Sequence, residues 1–504
     1  MNDPDAVVIG SGPNGLVAAI ALARAGWSVL VLEANDEPGG AVRSRPLTRP
    51  GFVHDLGAAF FGFGLASEAL LELDLEGAGL SWCHAEVDSA HPAPDGTCAS
   101  IVRRSRDLAD LGGLPEDARA FHQLADWFDE AGERMLRMLL GPLPPIRAAF
   151  DFGPLNLLRL AEVGLSSGRD FSQRRFRSEA ARRVLPGLAL HTDIGPDDLC
   201  GAAVGFMLAA VASKHGFPVP RGGAGAITTA LLARLEEAGG IVETGCHVDR
   251  IVTKGGEAVG VKLGDGRRIR ARRAVLADVA APTLYLRMLP ETDVPSWVHR
   301  SMRRFPLGFG TFKMDFALDG EAGFSHPDAA RAAVVHAGDD LDDLQRFTEQ
   351  VRRGELPDHP YLVIGQTTVA DPSRAPDGQH VLWVYSRVPN AIEGGWSAAR
   401  ERFADRIEAR LEQLAPGFRS RILDRAIAAP PDLEATNENL LGGDLGGGSA
   451  QIHHQLFFRP VFPYFRYRTP VERLYLCSSY THPGAGVHGA CGRNAATMAL
   501  GDSG

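Results

Sequence analysis

Lysine is scarce: only Lys214, Lys254, Lys262 and Lys313 occur among 52 basic side chains, and the remainder are arginine. Against 62 acidic residues this leaves a formal net charge of −10, so the chain carries no overall electrostatic footprint for nucleic acid and any basic patch has to be local. Cysteine is also sparse. The six residues (Cys83, Cys98, Cys200, Cys246, Cys477, Cys491) form no CxxC pair and no Cys/His metal spacing. That pattern predicts packing thiols in a reducing compartment, with no disulfide and no metal. Long apolar runs are missing too: stretches such as residues 201–212 fall short of the roughly 18 to 20 residues that span a bilayer. Residues 1–5 are acidic where a secretory peptide is basic, so a cytoplasmic location is expected. With 45% hydrophobic and 23% charged residues, disorder and fibrous repetition are excluded. The 504 residues suggest one to three domains at roughly 150 residues each.

The first informative segment is the opening one. An apolar strand at residues 6–9 runs into Gly10-Ser11-Gly12-Pro13-Asn14-Gly15, then into a small-residue helix and a second strand ending at Glu33 and Ala34. Gly10 permits the tight turn, Gly12 lets a diphosphate approach the backbone, and Gly15 lets helix and strand pack closely. Glu33 is placed to accept hydrogen bonds from a ribose diol. A lone GxGxxG is a weak signal, but here strand, helix and acidic partner accompany it, so a dinucleotide site is expected. A second glycine pair follows in Gly39-Gly40-Ala41-Val42-Arg43-Ser44, where Arg43 can approach the diphosphate from the other side. Residues 222–225 lack a preceding strand and an acidic partner, which leaves one dinucleotide site and argues against a separate nicotinamide domain.

With its glycine pair and Arg-Ser, the segment from Gly39 to Ser44 resembles the FAD-binding group that contains amine oxidases and phytoene desaturases, which implies FAD as the cofactor. Near the other end, Ser478-Ser479-Tyr480-Thr481-His482-Pro483-Gly484-Ala485-Gly486-Val487-His488-Gly489 leads into a small-residue helix. This tract resembles the C-terminal motif of the phytoene desaturase-like oxidoreductases. Residues 371–380, 454–460 and 467–470 resemble the subgroup that includes pyridine nucleotide-disulphide oxidoreductase domain-containing protein 2. The resemblance implies an α/β fold, with an FAD-binding Rossmann-like domain (glutathione reductase type 2/amine oxidase-like) made of residues 1–75, 215–285 and 465–504. A discontinuous α+β substrate domain would take residues 76–214 and 286–464. In such proteins the backbone near Val248 meets the adenine, and the turn at Gly486, Val487 and His488 meets the flavin with a helix N-terminus behind it. Where many relatives have a small Gly-Ser or Gly-Ala-Gly, this chain has Tyr480, which either narrows the cavity or packs between domains.

Periodicity adds short strands at 241–244, 247–253, 258–263 and 268–276, further strands within 307–318 and 382–386, and an amphipathic helix at 397–414. Residues 146–184 differ. Leu155, Leu157, Leu158, Leu160, Val163 and Leu165 precede Arg169, Arg174, Arg175, Arg177, Arg182 and Arg183. This block either rests on an anionic membrane surface or is a solvated helix with internal ion pairs.

A flavin beside an apolar cavity accepts hydride from a carbon activated by a neighbouring double bond or heteroatom. His482 and His488, with Tyr480 nearby, are the candidate acid/base groups, or else they pack beside the cofactor. The expected activity is an FAD-dependent dehydrogenase or desaturase of a carotenoid- or lipid-like molecule, re-oxidised by O2 or a quinone. A redox-neutral isomerase, an amine or amino-acid oxidase, and a non-catalytic flavin-binding protein remain alternatives. The amino-acid oxidase reading requires an aromatic cage or a carboxylate-binding arginine, for which Arg459, Arg466 and Arg468 are candidates.

Overall fold

The computed structural model describes residues 3–103 and 113–503. The strand Ala6–Ile9 is wholly buried between two parallel neighbours, Ala274–Ala277 and Val29–Leu32. Leu474–Leu476 and Ile241–Glu243 extend this sheet on either side, giving five parallel strands in all. The inner strands read as unbroken Val/Leu/Ala runs because helices or other layers cover both faces. An antiparallel sheet of Val248–Lys254, Glu257–Leu263 and Arg268–Arg270 lies beside it. The single strand expected at 268–276 is therefore two strands in different sheets. The chain breaks between them because Arg272 and Arg273 turn outward to pair with Asp5 while their amides bond Pro4 and Asp5.

The helix Pro13–Arg24 starts with Gly12 as its N-cap and Pro13 in its first turn, an arrangement that spares an orphan N–H. Its residues are small and buried nearly all round, since the helices Ala490–Asp502 and Gly225–Glu237 both pack on it. The first of these contacts is very close: a β-carbon on Gly492 would stand 1.9 Å from the Asn14 carbonyl oxygen. The two ends of the chain thus meet at the first glycine turn.

Seven strands form the largest sheet, in the order Ile422–Ala428, Gly310–Leu318, His380–Val388, Leu362–Gly365, Ala332–Ala337, Val87–Pro92, Cys98–Ile101. All neighbours are antiparallel except Ala332–Ala337 and Val87–Pro92. Side chains alternate across it. Leu382 and Val384 join Phe312, Phe316 and the amphipathic helix Trp396–Leu414 on one face. Trp383 and Tyr385, with Val334 and Val363, pack on the other face against a helical layer that includes Pro115–Leu140 and Gly201–His215. That second face roofs the site.

Candidate active site

A cavity of about 1310 Å³ runs from the first glycine turn to the helical layer. It exceeds the roughly 300–1,000 Å³ of an ordinary small-molecule pocket, so it has room for a dinucleotide and a further ligand. Gly10, Gly12, Pro13, Asn14, Glu33, Ala34, Gly40, Val248, Gly486 and Val487 all border it. Gly15, Arg43, Tyr480, His482 and His488 do not line it.

The turn is built for close approach. A β-carbon on Gly12 would lie 2.7 Å from Asp278 Oδ2, and one on Gly15 would lie 2.2 Å from the Gly10 carbonyl. The N-cap Gly12 offers no side chain to the helix Pro13–Arg24 and the first turn carries no acid of its own, but its Gly15 N–H is taken by the Asp278 carboxyl. A glycine floor ahead of a helix N-terminus suits a diphosphate, so these residues fit the cofactor implied above. Glu33, at the end of the second strand, accepts from Ser11 N and Oγ through one oxygen and from Asn35 N and Nδ2 through the other. Burial pushes its carboxyl up, but these four bonds outweigh that and hold it below the usual range. Arg43 is buried, with Nε on the Gly40 carbonyl and Nη2 on Thr436 O, so it ties the second glycine pair to residue 436 from behind the cavity wall.

Sequence reasoning missed Asp278. It stands at the end of Ala274–Ala277, borders the cavity and accepts from Gly15 N at 3.0 Å. Burial and the Glu33 charge raise its carboxyl to about 7, with the Gly15 N–H opposing them. Nothing local in the sequence marks it, because its setting exists only once two distant strands are paired.

The proposed acid/base residues lie behind the wall. His488 Nδ1 accepts from Ala490 N, so this imidazole caps the terminal helix, and burial lowers it to about 4. That bond also takes one of the helix N–H groups expected to face the flavin. His482 is lowered to about 4 by burial, then by the charge of Arg459 and by His488. Tyr480 is buried, donates to the Asn439 carbonyl and packs on Phe305 at 5.5 Å between ring centroids. Of its two sequence readings, the structure places it between elements and away from the cavity surface. Arg459 is spent on backbone carbonyls of Gly446, Gly447, Ser449 and Ser479. It clamps the glycine-rich turn beside the cavity onto the C-terminal tract. Arg468 pairs with Asp502, and Arg466 is exposed.

Other polar side chains do reach the cavity. His191 borders it and shares a 2.7 Å hydrogen bond with His336, which Ser89 links onward to His91. Burial drives His191 and His91 down to about 3, so the cluster stays neutral. Protonating His191 at pH 7 would cost on the order of 5 kcal/mol, which makes it a hydrogen-bonding group and a poor general base. Trp383, Tyr385 and Arg387, alternate residues of one strand, complete this wall.

Residues 14–499 match the family model described as flavin containing amine oxidoreductase. The mouse protein named pyridine nucleotide-disulfide oxidoreductase domain-containing protein 2 is 28% identical, covering 99% of this chain and 93% of its own. A phytoene desaturase (neurosporene-forming) of Cereibacter sphaeroides is 27% identical, covering 97% and 92%. Among solved structures, an oxidoreductase from Methanosarcina mazei shares the fold with a TM-score of 0.65 at 17% identity, covering 98% of this chain and 99% of that one. The chain belongs to the flavin containing amine oxidoreductase family, and it is an FAD-dependent oxidoreductase.

Proposed function

We propose that the enzyme is a dehydrogenase or desaturase that takes hydride from a carbon beside a double bond in a largely apolar molecule, with O2 or a quinone as terminal acceptor. The observation that carries this reading is the far half of the cavity, where Leu160, Ala203, Met207, Leu208, Val334 and Val363 offer an apolar chamber continuous with the nucleotide turn. FAD, when bound, supplies the hydride acceptor. The protein contributes orientation and exclusion of water: helices Pro154–Gly164 and Gly201–His215 wall off the chamber, and the neutral His191 offers a hydrogen bond without a charge. The name of the phytoene desaturase relative fits such a substrate.

Membrane contact belongs to the same reading. Helix Pro154–Gly164 turns Leu160 and Gly164 toward the cavity, while Leu155 and Leu158 lie exposed on its surface. Phe150 (85% exposed), Ile146 and Leu165 extend this apolar patch, with exposed Arg147 and Arg159 among them. Such a patch beside a cavity wall suits an interface from which an oily substrate enters. No described helix is long and apolar enough to cross a membrane. The arginine block that follows is largely used internally: Arg169 pairs with Asp197 and Asp342, Arg182 with Glu179, and Arg183 is buried on the carbonyls of His91, Thr97 and Asp339. The contact is therefore assigned to residues 146–165 alone.

Anaerobic mixing tests the activity. Phytoene, unsaturated fatty acids and simple amines are each mixed with the oxidised enzyme, and the visible flavin absorption is followed. Stoichiometric bleaching by an unsaturated apolar compound, with a product two hydrogens poorer, is expected. Turnover without bleaching makes the enzyme an isomerase, and bleaching by amines alone makes it an amine oxidase.

A further inference from the structure

We propose that the sheet-side wall of the cavity holds a carboxylate-binding site centred on Arg387, so that the apolar substrate carries a carboxylate at one end. This inference rests on the reading above and narrows its substrate class.

Arg387 is 5% exposed and borders the cavity from the strand His380–Val388. Its Nη1 donates to Thr311 Oγ1 at 2.7 Å, and its Nη2 donates to the His191 carbonyl. The Nε has no acceptor among the described residues. Tyr385 lies against the guanidinium, 4.9 Å from its central carbon to the ring centroid, and its phenol oxygen is a further partner of the same group, while Nε is left over. Among the described residues no carboxylate reaches Arg387 within ion-pair distance, a notable state for a cation removed from water. Buried Arg43 likewise has only two backbone carbonyls and no carboxylate, but it does not line the cavity, and the remaining buried arginines are provided for differently. Arg374 is paired with Asp55 and Asp371, and Arg410 with Asp339. Arg183 and Arg459 are surrounded by backbone carbonyls.

Protein acceptors thus leave part of the Arg387 fork free at the edge of a cavity. Trp383 Nε1, on the same side of the strand, is a second buried donor without an acceptor. A wall with unanswered donors does not suit a pure hydrocarbon. A carboxylate answers it: two coplanar oxygens match a guanidinium fork, and a single negative charge balances a single positive one. Asp193 also borders the cavity, but its oxygens accept from Ser449 Oγ and Ala450 N. The tail would then run along Val334, Val363, Met207 and Leu208 toward the nucleotide end.

The test is a binding titration of the holoenzyme with dodecanoate, dodecanol and dodecyl phosphate, read by calorimetry and by perturbation of the flavin spectrum. Dodecanoate is expected to bind about 10- to 100-fold more tightly than dodecanol, the difference made by charge-assisted hydrogen bonds. In Arg387→Met that preference should vanish while dodecanol affinity is retained, and Arg387→Lys should keep part of it. Equal binding of acid and alcohol by the unmodified enzyme, which needs no variant to fold, overturns the proposal. So does an undiminished preference in Arg387→Met, or tighter binding of the phosphate than of the carboxylate. Because these titrations require no turnover, they stay informative if no unsaturated compound bleaches the flavin, and that separate result would count against the activity alone.

Discussion

The sharpest test of the architecture is a pair of glycines on one helix. Gly492 and Gly501 both lie in Ala490–Asp502, so replacing either with alanine improves intrinsic helix propensity by up to about 1 kcal/mol. Their surroundings differ. At Gly492 the new methyl would stand 1.9 Å from Asn14 O and 3.1 Å from Ala18 N, both backbone atoms of the first helix that have no rotamer to change. At Gly501 nothing lies within 4 Å. Overpacking commonly costs about 1–3 kcal/mol, and a rigid backbone obstacle puts Gly492→Ala at or beyond the upper end. Subtracting the propensity gain leaves a net loss of about 2 kcal/mol, against a small gain for Gly501→Ala. Urea unfolding followed by tryptophan fluorescence measures both, and FAD content at equal protein concentration reports on the turn that Asn14 belongs to. The expected outcome is a lower midpoint and weaker FAD retention for Gly492→Ala only. If Gly492→Ala is as stable as the parent and as yellow, the two ends of the chain do not pack as described, and the site assembled between them loses its foundation.

Further outcomes follow from the same geometry. Asp278 has a folded pKa of about 7 against an ordinary 3.8, so the folded state holds a proton that the unfolded state has lost; stability falls as pH rises from about 4 to about 7 and then levels off. Asp278→Asn should flatten that slope in urea midpoints of the apoprotein, a change on the order of a few kcal/mol, and an unaltered slope sinks the assignment. Arg459→Met strips four backbone carbonyls of their buried donor and should cost at least about 1–3 kcal/mol, visible as a lower urea midpoint. Tyr480→Phe loses one buried hydrogen bond, about 1–2 kcal/mol of stability, with KM and kcat unchanged; a large rise in KM would put the phenol at the cavity after all. Phe150→Ser with Leu158→Ser should weaken co-sedimentation with anionic phospholipid vesicles by tenfold or more, whereas equal sedimentation removes the membrane contact.

What the sequence made legible was local or periodic. Strand, glycine turn, helix and Glu33 lie within about thirty residues, and each constrains the next through backbone geometry that only certain residues tolerate. The amphipathic helix at 397–414 declared itself by spacing and lies on the sheet as Trp396–Leu414. Asp278, His191 and Arg387 gave no such signal. They come from three separate segments, and each becomes informative only through neighbours distant in sequence: Gly15, His336 and Thr311.

The choice of acid/base residues shows the same limit from the other side. His482 and His488 flank Gly486 and Val487, residues that do border the cavity, and the motif alone leaves open whether these imidazoles face the cavity or pack beside it. In a turn this rich in glycine the backbone itself forms the wall, so flanking side chains can point back into the protein and help hold the turn. His488 does this by capping Ala490 N, while Arg459, which itself borders the cavity, gathers the carbonyls of the neighbouring glycine-rich turn. Burial then lowers both imidazoles to about 4, which leaves them uncharged near neutrality. An activity profile governed by either would break near pH 4, well away from the ordinary imidazole range. Among the described residues of the cavity, Asp278 has its carboxyl raised to about 7, so a break close to neutrality that disappears in Asp278→Asn would belong to it.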